Sequence, residues 1–210
     1  MAKHRIGVLI SGRGTNMLAL INAVESGQIP DAEIVLVISD REGAPGIQLA
    51  KEHGIKTVVI SRQGRSREAH EHEIIDWLQC GKVSLVCLAG FMRLLSPHFI
   101  EPFRGRILNI HPSLLPAFPG LAAQRQAIAG GVKVSGCTVH FVDETLDGGP
   151  IIEQRVVPIL DDDTEETLAA RILEEEHKAY VDALSLVVSG EYEVMGRRVI
   201  KKSGQLVQAG

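Results

Sequence analysis

Asn109 and His111 lie two residues apart in Leu108-Asn109-Ile110-His111-Pro112-Ser113, so on a strand both side chains leave the same face. Histidine moves protons near neutral pH, and an amide is a neutral donor for an oxygen that gains charge. A histidine alone in such a place is more often bonded to backbone within a turn. The amide beside it, at the end of an expected strand, moves the reading toward catalysis. Asp147 stands in Thr145-Leu146-Asp147-Gly148-Gly149-Pro150, where Asp-Gly is ordinary turn chemistry. Beside His111 its carboxylate would set the imidazole tautomer and favour the charged ring. Spacing alone does not bring the two together.

A second candidate is Ser11-Gly12-Arg13-Gly14-Thr15-Asn16, which follows an apolar run and opens a helical one. Glycines there let backbone N–H groups approach an anion, and a helix N-terminus favours negative charge. It is neither GxGxxG nor a Walker loop, so a phosphate site and a plain strand-to-helix turn stand at even odds. Glu176 is four residues from both Ile172 and Tyr180, near the inward stripe of a long helix. An inward carboxylate needs a partner, either a neighbouring base or ligand hydroxyls. His70-Glu71-His72-Glu73 does not match HExxH, and Cys80, Cys87 and Cys137 have no CxxC spacing, so no metal is assigned. Asp161-Asp162-Asp163 reads as an acidic helix start. Arg197, Arg198, Lys201 and Lys202 read as a solvated basic hairpin rather than an RNA site.

These residues need a frame to hold them. Ile6–Ile10, Ile34–Ile38, Lys56–Ile60, Val83–Ala89 and Arg106–Ile110 are strand-like runs without polar alternation. Helical spacing over Met17–Val24, Gly46–His53 and Arg65–Gln79 separates them. That pattern predicts an α/β fold: a Rossmann-like, mostly parallel twisted sheet with helices on both faces. Asn109 and His111 then fall at the C-terminal end of a parallel strand, where such sheets bind ligands. Residues 112–131 read as a long loop with a short helix near Gln124–Ala129. Ser135–Val142 and Pro150–Pro158 would add antiparallel strands in the C-terminal half. Asp163-Thr164-Glu165-Glu166 reads as a capping box for a helix from Glu165 to Val188, stopped by Gly190. Tyr192–Lys202 reads as a hairpin turning at Gly196.

The chain has 210 residues, 45% hydrophobic and 23% charged, which is enough to bury a core in one domain. The net charge of −4 gives no global attraction to nucleic acid or anionic membrane. Three scattered cysteines suit free thiols in a reducing compartment. No apolar run reaches the roughly 18 residues of a membrane span. The N-terminus lacks the pattern of a secretory leader. The expectation is a cytoplasmic protein.

The motifs together resemble the phosphoribosylglycinamide formyltransferases, folate-dependent transferases of purine biosynthesis and one-carbon metabolism. The likeness runs from about residue 4 to 195. It is carried by Ile10–Asn16, Leu88-Ala89-Gly90-Phe91-Met92-Arg93-Leu94-Leu95, Asn109–Pro116, Gly136–Val142, Leu146–Pro150 and Glu176-His177. The resemblance implies formyl transfer from 10-formyltetrahydrofolate to the amine of 5′-phosphoribosylglycinamide, with no metal required. It implies Asn109, His111 and Asp147 as the catalytic trio. Gly14, Thr15 and Asn16 would hold the ribonucleotide phosphate, and Glu176 its ribose. Arg67, Met92, Arg93, Leu94, Leu95, Asn109 and Val142 would hold folate, with backbone from Val142 to Asp147 around the pterin. It divides residues 1–210 into a nucleotide-phosphate half, about 1–100, and a catalytic and folate half, about 101–210. It leaves a homodimer open.

The chain departs from the family pattern at Ala117, where many members have lysine, and in Gly120-Leu121-Ala122-Ala123-Gln124-Arg125, which lacks the family's histidines. Both changes fall on the 112–131 loop. Related folate enzymes remain as alternatives. A tRNA-directed formyltransferase would need a further C-terminal domain. A formyltetrahydrofolate deformylase, with water as acceptor, usually carries an extra N-terminal domain. A sensor without activity would be expected to lack part of the trio, which is complete here.

Overall fold

The computed structural model describes residues 3–202, and their apolar runs form one nine-stranded sheet. Along the chain come β1 (His4–Ile10), α1 (Thr15–Glu25), β2 (Ala32–Ser39), α2 (Pro45–Glu52), β3 (Thr57–Val59) and α3 (Arg67–Cys80). Then follow β4 (Leu85–Leu88), α4 (Pro97–Ile100), a 3-10 turn (Glu101–Phe103), β5 (Ile107–His111), α5 (Ala123–Ala129) and β6 (Val134–Phe141). β7 (Ile151–Pro158), α6 (Glu165–Ser189), β8 (Tyr192–Met195) and β9 (Arg198–Lys201) complete it. The ends of the expected 1–210 domain, residues 1–2 and 203–210, lie outside the described residues. No described helix is long and apolar enough to cross a membrane.

The sheet order is β3-β2-β1-β4-β5-β6-β7-β9-β8. β1 to β5 pair in parallel, and β6 and β7 are antiparallel additions. This is the expected architecture, and its physical cause is burial on both faces. Ile6, Val8 and Ile10 of β1 enter one core with α1, α2 and α6, while Leu9 enters the other with Ile74 and Leu78 of α3. A strand with no wet face has no polar alternation to show. The chain leaves β1 in one direction to build β2 and β3, and returns to its other side for β4 and β5. That reversal opens a crevice at the C-terminal ends of β1 and β4.

α6 is the long helix that the capping signal predicts. Thr164 and Thr167 cap each other reciprocally, so the box partner is Thr167 rather than a glutamate. Asp163 has a larger role than an acidic cluster needs. It accepts from the Leu160 amide and pairs with Arg171, which hold its carboxyl well below the usual range. Tyr180, wholly buried on α6, lies 3.1 Å from the carbonyls of both Leu88 and Leu108. It thus ties α6 to the ends of β4 and β5.

Two local features differ from expectation. α3 starts at Arg67, not Arg65, because Ser66 accepts from the Ala69 amide and caps the helix. The turns over Pro97–Phe103 were not expected. Ser96 caps them, Pro97 opens them, and Phe99, Ile100 and Phe103 are buried beneath. They are too short to show helical periodicity in sequence.

Candidate active site

His111 is the last residue of β5, and Asn109 precedes it on the same face. His111 is buried, with both ring nitrogens facing oxygen. Nε2 donates to the Phe118 carbonyl at 2.9 Å, and Nδ1 lies 3.5 Å from Asp147 Oδ2. Asp147 belongs to the turn between β6 and β7 and has φ 48°, a left-handed conformation that aspartate tolerates better than most residues. Its Oδ2 also accepts from the Gly120 amide at 2.8 Å. Gly149 allows the turn to close: a Cβ there would stand 1.9 Å from the Phe141 carbonyl. The structure therefore joins Asp147 to His111, a contact that spacing could not supply.

His140 is a fourth member that sequence reasoning missed. It lies on β6 directly across from Asn109 in the antiparallel register. Its Nδ1 donates to the Phe141 carbonyl at 2.8 Å, which leaves Nε2 as an acceptor for the Asn109 amide at 3.3 Å. That bond fixes which end of the Asn109 amide turns toward His140. Burial lowers the proton affinity of His140 below the ordinary 6.5, against the weaker pull of the Phe141 carbonyl and Asp147. Asp147 Oδ1 is 3.9 Å from its Nε2.

The 112–122 segment closes over this cluster. Thr138, opposite His111, donates to the Ser113 carbonyl and accepts from the Leu115 amide. Ser113 in turn donates to the Ala117 carbonyl. What the structure assigns to the loop is support for His111 and Asp147, through Phe118 and Gly120.

The glycine-rich turn lies beyond β1. Gly14 caps α1 with φ 76°, and a Cβ there would stand 2.8 Å from Gly46 at the start of α2. Asn16, 8% exposed, donates to Glu176 of α6 at 2.7 Å, although 160 positions separate them. Burial raises the Glu176 carboxyl, and the bond from Asn16 and the charge of His111 oppose that shift. Asn16 Oδ1 is buried without a partner. Of the expected ribonucleotide residues, Gly14, Thr15 and Asn16 open α1, and Glu176 of α6 is joined to them through Asn16.

The expected folate residues divide. Arg67, Met92, Arg93, Leu94 and Leu95 line a cavity of about 270 Å³ between α3 and the segment after β4, while Asn109 and Val142 lie outside it. Val142, like Leu95, packs against the core of that face. Arg67 donates to Glu71 and to the Leu94 carbonyl, and Arg93 pairs with buried Asp40 at 2.6 Å. Ser11 holds the same segment from the other side: its amide donates to Gly90, and its hydroxyl accepts from the Met92 amide at 3.0 Å. By position Ser11 belongs to the anion turn, so no sequence signal ties it to residues 90–92.

A family model described as formyl transferase matches residues 4–184. The chain is 51% identical over 190 residues to the trifunctional purine biosynthetic protein adenosine-3 of Drosophila melanogaster, covering 90% of this chain and 14% of that protein. It therefore spans about one seventh of the length of that relative. It is 42% identical to the phosphoribosylglycinamide formyltransferase of Escherichia coli over 90% of this chain and 89% of that one. The crystal structure of glycinamide ribonucleotide transformylase 1 from Symbiobacterium toebii superposes with a TM-score of 0.93 at 49% identity, covering 96% and 95% of the two chains. With an end-to-end fold match and the family model across most of its length, the chain belongs to the formyl transferase family.

Proposed function

We propose that the chain transfers the formyl group of 10-formyltetrahydrofolate to the amine of 5′-phosphoribosylglycinamide, giving formylglycinamide ribonucleotide and tetrahydrofolate in purine biosynthesis. The observation that carries this is the convergence of His111 and Asp147 at 3.5 Å, with Asn109 beside them on the same strand face. The buried Asn16–Glu176 pair, electrostatically coupled to His111, supports a sugar phosphate as the acceptor.

In this reading the phosphate meets the backbone amides of Gly14, Thr15 and Asn16 at the start of α1. Glu176 accepts from ribose hydroxyls, and the unpartnered Asn16 Oδ1 takes a further donor. The exposed Met92 and Leu94 give folate an apolar wall, Arg67 and Arg93 give it cations, and backbone from Val142 to Asp147 receives the pterin. The acceptor amine attacks the formyl carbon, and charge builds on the formyl oxygen. The Asn109 amide, oriented by His140, and protonated His111 stabilise that oxygen; one such donor is typically worth about 3 kcal/mol. Asp147 faces Nδ1 of the imidazole at 3.5 Å and orients the ring. The proton of the attacking amine leaves by Asp147 and water, and the folate nitrogen is protonated as it departs. The Nε2–H of His111 becomes available once the Phe118 carbonyl yields it.

Residues 1–210 act as one domain, with the phosphate turn on the β1 side and the trio on the β5–β6 side. The free thiols Cys80, Cys87 and Cys137 suit the cytoplasm. The test is an absorbance assay for tetrahydrofolate with and without the ribonucleotide. Turnover only in its presence is expected. Equal turnover without it would mean a deformylase, and none in either case would mean a sensor.

A further inference from the structure

The turn over 118–122 has little apolar packing to hold it. Leu121 is 80% exposed, and Pro119 and Ala122 are exposed on either side of it. Three of its residues stand in left-handed backbone: Phe118 at φ 53°, Gly120 at 78° and Ala122 at 54°. Glycine adopts that conformation freely, whereas phenylalanine and alanine do so only when their surroundings hold them. Yet the turn must be accurate. Its Phe118 carbonyl accepts from His111, and its Gly120 amide donates to Asp147.

The hold comes from α5. Ala123 and Ala127, one helical turn apart, are buried and seat α5 on the core. From that seat Gln126 reaches back to the turn. Its Nε2 donates to the Pro119 carbonyl at 3.1 Å and to the Leu121 carbonyl at 2.9 Å. A carboxamide nitrogen carries two hydrogens, so one side chain serves both acceptors. These carbonyls belong to the residues that flank Gly120. The Pro119 carbonyl and the Gly120 amide share one planar peptide unit, so holding the first aims the second. We infer that Gln126 is a positioning residue for Asp147: its carboxamide clamps the turn on both sides of Gly120 and directs the Gly120 N–H at the carboxylate that faces His111.

The inference rests on the formyl-transfer reading above, because it presumes that the trio acts on substrate. Gln126 is exposed, so its effect is that of hydrogen bonds in contact with water and not that of a catalytic group.

The experiment compares wild type with Gln126→Leu, which keeps the bulk of the side chain and loses both donors. kcat is expected to fall about three- to tenfold, with both KM values within about twofold of wild type and the melting temperature nearly unchanged. A matching fall in melting temperature, or a rise in both KM values, would mark a packing role and overturn the inference. In an Asp147→Ala background, read by single-turnover rates, the same change is expected to cost less than about twofold, because the group it aims at is gone. Hydrogen exchange at the Gly120 amide of the free protein, followed by NMR, should quicken about three- to tenfold in Gln126→Leu. An unchanged kcat, an equal fractional loss with and without Asp147, or unchanged exchange at Gly120 overturns the inference alone. Absence of turnover in the wild type overturns the transfer reading, and exchange at Gly120 then decides the clamp by itself.

Discussion

At the ends of β5 and β6, every ring nitrogen of His111 and His140 faces a protein partner; after β4, Met92 and Leu94 stand 62% and 63% exposed beside half-buried and exposed arginines. The first region is already satisfied by protein. Its donors and acceptors orient one another, so little must be ordered when a reaction begins. The second leaves the apolar side chains of Met92 and Leu94 open to solvent beside its arginines. Under the proposed function the difference separates tasks: strand ends hold the groups that would act on bonds, and a loop pinned at Ser11, Arg67 and Glu71 holds the groups that would recognise folate. Loops on a rigid sheet can vary in recognition without disturbing chemistry.

The sharpest way to break this comparison is at the trio. His111→Ala and Asp147→Asn should each lower kcat by roughly 10²- to 10³-fold, with melting temperature nearly unchanged. Steady-state rates and a thermal melt on the same samples check both. Near-normal turnover in either variant would remove the trio from the mechanism. Glu176→Gln should raise the KM for the ribonucleotide about tenfold and leave the folate KM little changed, as expected for loss of a hydrogen bond to a charged group. A shift on folate instead would move Glu176 to the other substrate.

His140→Asn should lower kcat about tenfold through misorientation of Asn109, without a matching rise in either KM. It also has a stability signature. Burial keeps His140 neutral when folded, while the unfolded chain protonates it below pH 6.5. Its contribution is therefore complete above 6.5 and is lost as pH falls toward the folded value. Melting curves should show the wild type losing stability faster than the variant below about pH 6.5. Parallel pH profiles would show that His140 is not the group responsible. The smallest effect is expected at Ser11→Ala, about a fivefold rise in folate KM from the loss of one hydrogen bond to Met92. A rise confined to the ribonucleotide would return Ser11 to the anion turn.

The parallel core was legible because β1, β2, β4 and β5 are buried on both faces and read as unbroken apolar runs. Asn109 and His111 were legible because a strand places alternate residues on one side. Asp147 was legible as a turn carboxylate, but its place beside His111 came only through the family resemblance, since a turn 36 residues further on has no periodic relation to β5. His140 was hidden by its setting in Gly136–Val142, where it looks like one more core position. Only the pairing of β6 against β5 puts it opposite Asn109. The Asn16–Glu176 bond has the same origin, because it joins α1 to α6 through packing rather than sequence distance. The α4 turns went unread because four residues carry no period to detect.

The most direct measurement follows a ¹³C-labelled formyl carbon by NMR, in wild type and in Asp147→Asn. The wild type should move the label from the folate nitrogen to the glycinamide nitrogen, with no free formate when the ribonucleotide is absent. Asp147→Asn should leave the label on the donor over the same time. Labelled formate released without acceptor, or full transfer by the variant, would contradict acceptor-dependent transfer through the His111–Asp147 pair.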